Sequence, residues 1–353
     1  MNPPASRQSG ATYRAAGVDR GRAAAVRDRI RAHCAATHGP AVVSGIGGFG
    51  GCLALPQAGA DTVLVASVDG VGTKMRVAAL TGQWETVGYD IVAHGVNDVL
   101  VQGAAPLFFL DYIAMSRLDA GVIEKMVSGM ARACREAGCA ILGGETAEMP
   151  GVYRPDDAEL VGTMVGWVRR DRLLGAPRVK AGDQLIGLPS SGLHTNGYTL
   201  ARKLLLEEGG PGLEARPEPL AATVGEALMA PHTMYWAPIR PLLDEDLVHA
   251  MAHVTGGGML ENLPRVLPEG CEARLVHGSW ETPPIFRLLQ QAGRISTEEM
   301  YRVFNLGVGM ILIAGRDGVG RIRELLGREG EDYWLIGDVV EGRRGVAVTG
   351  LNA

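Results

Sequence analysis

The sequence predicts a two-domain α/β protein, and three observations carry that reading. Its 353 residues exceed what one ordinary core holds and suit two domains of roughly 100 to 200 residues each. Over residues 62–142 the patterns run strand, helix, strand, helix, and a comparable alternation over 184–340 reads as an α/β layer. Between them, residues 169–182 combine Gly175, Pro177 and mixed charge, the composition of a linker. The expected division is a polar tail over 1–20, an N-terminal domain over 21–174 and a C-terminal α/β domain over 175–353.

Local pattern justifies each element. Residues 22–33 read as a solvated helix with four arginines. The apolar run 62–66 is a strand, and residues 85–102 place Val87, Ile91, Val92, Val96, Val99 and Leu100 at helical spacing. Asn97 and Asp98 interrupt that helix: they sit on its solvated face or point at something that needs carboxylate and amide oxygens. A buried strand follows over 107–115, and Asp119 N-caps a helix running to about Gly138. A short strand, 139–142, should end in a glycine-rich segment that sets Glu145 and Glu148 just past its end, before a long strand over 159–168. The second half offers a strand over 184–188, a helix ending near Gly209, a strand over 247–254 and a helix opening after Gly256, Gly257 and Gly258. Helices over 284–292 and 297–304, a strand over 308–314, a helix over 318–326 and a strand over 334–340 complete it.

Composition excludes several function classes. With 34 basic against 39 acidic residues and a net charge of −5, the chain has no electrostatic footprint for nucleic acid. No apolar run approaches the roughly 18 residues of a membrane span, and the first residues lack the apolar core of a signal peptide, so the expected compartment is the cytoplasm. Five cysteines without a Cys-x-x-Cys pair argue against a disulfide framework or structural zinc and read as reduced thiols.

The chemistry concentrates in glycine-flanked polar clusters. Ser67-Val-Asp-Gly-Val-Gly-Thr-Lys74 delivers one carboxylate, Asp69, and one ammonium, Lys74, with glycines that let backbone N–H groups approach an anion; the alternative is an ordinary turn. Gly45, Gly47 and Gly50 match the dinucleotide pattern, but Pro56 stops any following helix, so 44–51, which includes Gly48, reads as a flap over a ligand or a hairpin connection. In the second half, Ser191, His194, Thr195 and Asn196 lead into a helix, where such residues cap or bind phosphate, and the triple glycine 256–258 is a further anion nest. His249 and His253 are four apart but lack the glutamate of a zinc-protease helix. Asp69, Asp98 and Glu145 together supply the oxygen ligands that suit Mg2+ beside substrate phosphates, which points to ATP chemistry without a P-loop.

These residues carry a resemblance. Asp69-Gly-Val-Gly-Thr-Lys74, Val96-Asn-Asp98, Pro106-Leu-Phe-Phe-Leu-Asp-Tyr112, Gly143-Gly-Glu-Thr-Ala-Glu-Met-Pro-Gly151, Ser190-Ser-Gly-Leu-His-Thr-Asn-Gly-Tyr198, His253-Val-Thr-Gly-Gly-Gly258 and the block from Met300 to Met310 stand in one collinear order. Together they resemble the phosphoribosylformylglycinamidine cyclo-ligase (aminoimidazole ribonucleotide synthetase) family. The resemblance implies an enzyme of purine biosynthesis that uses ATP to close the ring of formylglycinamidine ribonucleotide, releasing ADP and phosphate. It also implies a homodimer whose N-terminal halves share a β-barrel, with ATP in a cleft under the glycine loop. On that basis Asp69, Asp98 and Glu145 are expected on Mg2+, and Arg31, Gly47, Gly48, Gly50, Lys74, Asn97 and Thr146 around ATP and its phosphates. His194 and His253, with Asp98, are expected in catalysis, and Ser191, Thr195, Asn196, Gly256, Gly257 and Gly258 near the ribonucleotide.

The chain departs from the family at Arg14 and Arg31, where lysine is usual; arginine keeps the charge but replaces a point donor with a planar fork. The rivals are other ATP-using members of the superfamily and a silent nucleotide-binding scaffold. Selenophosphate synthetase would carry a reactive cysteine or selenocysteine near the glycine loop, where Cys52 stands, but the other motifs and the 300–310 block favour the cyclo-ligase. Thiamine-monophosphate kinase and formylglycinamidine synthetase are the further members. A mere scaffold need not retain all three carboxylates.

Overall fold

The computed structural model describes residues 11–12, 14, 40–43, 51–54, 61–207 and 209–351. The arginine-rich helix, Arg31 and the glycine loop with Gly47, Gly48 and Gly50 lie outside the described residues.

The first half is built on β1 (Gly51–Ala54), β2 (Thr62–Gly70), β3 (Ala105–Met115), β4 (Ala140–Glu148) and β5 (Ala158–Arg169), in the order β1-β2-β5-β3-β4. Neighbours are antiparallel except β3 and β4. Helices α1 (Lys74–Thr81), α2 (Trp84–Leu100) and α3 (Ala120–Ala137) accompany this sheet. In β2 alternate residues Val63, Val65 and Ser67 are buried, so one face turns inward and carries α2. The other face leaves Leu53, Val68, Leu110 and Trp167 exposed. Asp119 caps α3 as expected, its carboxylate accepting from Gly121 and Val122 N–H at 2.9 and 3.0 Å. Helices α2 and α3 meet through glycines: a Cβ on Gly88 would stand 2.0 Å from the Met126 carbonyl oxygen, and one on Gly129 would stand 1.9 Å from that of Glu85.

The second half forms a six-stranded sheet of β6 (Gln184–Pro189), β7 (Ala250–His253), β8 (Cys271–Val276), β9 (Val308–Ala314), β10 (Trp334–Glu341) and β11 (Gly345–Thr349), ordered β11-β8-β10-β6-β9-β7. Strand β9 is buried at every position, as a continuous apolar run requires. Its helices are α4 (Tyr198–Leu205), α5 (Val224–Leu228), α6 (Trp236–Asp244), α7 (Gly258–Asn262), α8 (Pro284–Gly293), α9 (Thr297–Val303) and α10 (Val319–Arg328). The mixed α/β two-domain fold is therefore the one expected.

Three local expectations are corrected. Strand β4 runs on through Glu148, so Glu145 lies inside an edge strand, where pairing to β3 continues across the glycines. Strand β7 is shorter than 247–254, and α4 stops at Leu205 rather than near Gly209. Strands β8 and β11 and helices α1, α5 and α6 were not anticipated. Among the described residues no helix is long and apolar enough to cross a membrane.

Residues 230–235 make one of the contacts between the halves. Lys74 Nζ donates to the Ala230 carbonyl at 2.8 Å, and Asp90 Oδ1 accepts from His232 N–H at 2.7 Å. Asn97 donates to the Thr233 carbonyl at 2.8 Å and accepts from Tyr235 N–H at 3.0 Å. Residues 230–235 are thus bound to Lys74 at the start of α1 and to the polar face of α2, which helps set the second domain against the first.

Candidate active site

Helix α2 presents Asp90, His94, Asn97 and Asp98 on one stripe, because positions three and four apart share a face. All four are buried. Asp98 accepts from Ser67 Oγ at 2.8 Å and pairs with His253 Nδ1 at 2.8 Å, so β2, α2 and β7 converge on one carboxylate. His94 Nε2 lies 3.0 Å from Asp69 Oδ2 and 3.6 Å from Asp98 Oδ2. Without hydrogen-bond alignment at that nitrogen, these contacts are ion pairs.

Four histidines meet here. His194 and His232 stack with ring centroids 4.0 Å apart, while His253 lies edge-on to His232 at 5.2 Å and to His94 at 5.0 Å. Burial lowers an imidazole's affinity for a proton, but Asp98 and Asp69 overcome it at His94, which is pushed up to about 9. Burial, then neighbouring histidines, hold His194 and His232 well below their ordinary value. Burial also lowers His253, with Asp98 partly offsetting it. At Asp69 burial opposes ionisation and His94 outweighs it, leaving the carboxyl below its usual range. Two trios, His194, His232 and His253 or His94, Asp98 and His253, hold ligand atoms within 4.8 Å of one another. For a hard cation such as Mg2+ the better donors are the oxygens of Asp69 and Asp98, which converge on the His94 ring nitrogen.

The expected residues divide. Asp69, Asp98, His194 and His253 come together, with Thr195 between two of the histidines. Lys74 does not face them: it is fully buried, pairs with Asp90 at 2.7 Å and lies 5.6 Å from the Tyr198 ring centroid. Burial pushes Lys74 down and Asp90 up, and each offsets it for the other. Asn97 is likewise hydrogen-bonded to residues 233 and 235.

Glu145 is exposed and stands apart from the other carboxylates. Across the sheet Asp69 pairs with Gly162, Gly162 with Asp111, and Asp111 with Gly144. Glu145, one residue on, points to the opposite face, three strands or about 14 Å from Asp69. Its carboxylate accepts from Thr146 N–H at 2.9 Å, and Thr146 is exposed on the Asp69 side of the strand. Ser191 is exposed; its hydroxyl donates to the Pro231 carbonyl, and its N–H lies 3.3 Å from His194 Nε2. A Cβ on Gly256 would meet Asn196 Oδ1 at 3.2 Å, which places those two side by side. Gly258 is required by packing, since a Cβ there would stand 1.9 Å from the Tyr301 carbonyl oxygen, and Gly257 has φ +115°.

Sequence reasoning missed His94, Asp90 and His232. The first two had a signal, the four-residue spacing Asp90, His94, Asp98 on a helix. His232, in a connection after Pro231, had none.

Comparison with known proteins covers nearly the whole chain. Residues 47–168 match the family model "AIR synthase related protein, N-terminal domain", and residues 180–350 its C-terminal counterpart. A phosphoribosylformylglycinamidine cyclo-ligase of Sorangium cellulosum is 47% identical over 93% of this chain and 95% of its own. One from Pseudothermotoga lettingae is 45% identical over 96% of this chain and 100% of its own. Among solved structures, AaThiL complexed with AMPPCP and TMP superposes with a TM-score of 0.62 at 17% identity, covering 92% of each chain. At that identity it shows the fold alone.

Proposed function

Because the chain belongs to the phosphoribosylformylglycinamidine cyclo-ligase family, we propose that it closes the ring of formylglycinamidine ribonucleotide to aminoimidazole ribonucleotide in the cytoplasm, converting ATP to ADP and phosphate. The observation that carries this is the cluster of buried Asp98, His194 and His253 with half-exposed Asp69 at the seam of the two domains, in a chain 47% identical to a cyclo-ligase. ATP as the co-substrate is supported by a neighbour of the same fold solved with AMPPCP.

The chemistry explains the residues. A formamide oxygen leaves poorly until it is phosphorylated; the amidine nitrogen then attacks the same carbon, and phosphate departs from the iminophosphate. Asp69 and Asp98 would hold Mg2+, which when bound neutralises charge on the transferring phosphoryl group. His253, oriented by Asp98, and His194, whose buried Nδ1 has no partner among the described residues, are the groups for proton transfer at the amidine. Ser191, Asn196 and Gly256 to Gly258 would contact the ribonucleotide. Thr146 would contact ATP, as would Arg31, Gly47, Gly48 and Gly50, which lie outside the described residues.

Glu145 enters this reading only from a second copy. The face that bears it also exposes Val68 (66%) and Trp167 (40%), an apolar surface suited to a homodimer.

Purified protein with Mg-ATP and formylglycinamidine ribonucleotide should yield ADP and the aminoimidazole product together. ADP without the imidazole, or ADP only with thiamine monophosphate or selenide, would overturn the assignment.

A further inference from the structure

The end of helix α3 holds two cysteines that the cyclo-ligase reading does not use. Gly138 follows the helix with φ 73° and ψ 26°, the left-handed conformation that glycine adopts without steric cost. Around it the Gly138 N–H donates to the Arg135 carbonyl at 3.2 Å, and the Cys139 N–H donates to the Cys134 carbonyl at 2.9 Å. These two bonds make a Schellman closure, which folds the residue after the glycine back over the last helical turn, so that its side chain meets the one five positions earlier. Apolar side chains frequently fill those two places. Here both are cysteines, Cys134 and Cys139, and their thiols are in hydrogen-bond contact. A backbone bond already ties the two residues, so the sulfurs can join by side-chain rotation with little backbone movement. Their surroundings set the order in which they react. Cys139 is partly exposed, whereas Cys134, Cys52 and Cys271, the other described cysteines, are buried. In the shared bond the Cys134 thiol donates to Cys139 Sγ; this lowers the Cys139 thiol and, together with burial, raises that of Cys134. The accessible sulfur is therefore also the one that favours the thiolate, the form that attacks an oxidant.

We propose that Cys134 and Cys139 form a redox-active dithiol site, which a hydroperoxide closes to a reversible intramolecular disulfide. The Cys139 thiolate attacks the peroxide: an S–O bond forms as the O–O bond breaks, and the departing oxygen takes up a proton and leaves as an alcohol, or as water from hydrogen peroxide. Cys134 Sγ then attacks the Cys139 sulfenic acid. The S–S bond forms as the S–O bond breaks, and the hydroxide leaves with the Cys134 proton as water. Two electrons pass from the sulfurs to the peroxide, and a small dithiol returns them by exchange. The disulfide repeats a closure that the backbone already makes, so α3 and the start of β4 keep their places.

Arg135 stands between the two cysteines, so trypsin separates them, and only a disulfide keeps Ala133-Cys134-Arg135 attached to the peptide that begins at Glu136. Full-length protein treated with hydrogen peroxide, alkylated and digested without reductant should yield that linked pair by mass spectrometry, two hydrogens lighter than the two reduced peptides. Circular dichroism should be unchanged by the oxidation, and dithiothreitol should restore both thiols. In Cys134→Ala the sulfenic acid on Cys139 has no thiol to condense with and should be trapped by dimedone. In Cys139→Ser loss of the Cys134 thiol should slow by at least about tenfold. Should Cys134→Ala fail to fold, the linked peptide of the wild-type protein decides alone. Cys139 recovered reduced, over-oxidised or linked to another cysteine overturns the proposal, as does loss of helical signal on oxidation. None of these readouts needs turnover, so they stand apart from the cyclo-ligase reading, which fails separately if wild-type protein makes no imidazole.

Discussion

His253 Nδ1 lies 2.8 Å from Asp98 Oδ1, joining residues 155 positions apart across the two domains. Asp98 also accepts from Ser67, so its carboxylate is the junction of β2, α2 and β7. Asp98→Asn keeps the shape and one acceptor but removes the charge. It should lower kcat by at least about 100-fold while the circular dichroism and oligomeric state stay those of wild type. Wild-type kcat in this variant would remove Asp98 from the metal and proton chemistry.

The buried pair Lys74 and Asp90 should be structural. Lys74→Met leaves Asp90 without its counter-charge and should cost about 3 to 5 kcal/mol, read from urea unfolding. A loss below about 1 kcal/mol would return Lys74 to the list of ligand-facing groups.

Stability should depend on pH in two directions. His94 stands at about 9 in the folded chain against an ordinary 6.5, so its contribution is complete below 6.5 and is lost as pH rises through 9. His194, His232 and His253 lie below 6.5 when folded, so below that pH the unfolded chain binds more protons and acid removes stability. Urea titrations of metal-free protein should therefore show a maximum near pH 6.5. His94→Met should flatten the alkaline limb; an unchanged limb would contradict the ion pairs assigned to His94.

Close approach of α2 and α3 makes Gly129 intolerant of a side chain. Gly129→Ala would drive a Cβ to 1.9 Å from the Glu85 carbonyl, and backbone can yield only by separating the helices. The expected loss is about 1 to 3 kcal/mol by denaturant unfolding.

If Glu145 completes the site from a second copy, two inactive proteins should rescue each other. Asp98→Asn and Glu145→Ala, mixed under conditions that exchange subunits, should regain ring-closing activity that neither has alone. Failure of mixed dimers to turn over would place Glu145 outside the site.

Much of this was legible in the sequence. Element order followed from periodicity, and the cap at Asp119 from a polar residue before an amphipathic run, because both are local properties. The polar stripe Asp90, His94 and Asp98 was also present in the spacing. The partners of Lys74 and Asn97 in this fold were not legible, because a polar side chain reads the same in sequence whether it meets a phosphate or a segment 130 or more positions away.

The sequence by itself determined most of the strand and helix order, the family resemblance, and Asp69 and Asp98 as the carboxylates to examine. Only the tertiary structure decided which groups meet. Strand register turned Glu145 to the opposite face, since one residue's step along a strand reverses the side chain. Domain apposition brought His194, His232 and His253 onto helix α2, and burial by both halves gave those histidines their shifted proton affinities. Identity is written residue by residue, but proximity and desolvation arise from pairings between distant segments, and this site is made of such pairings.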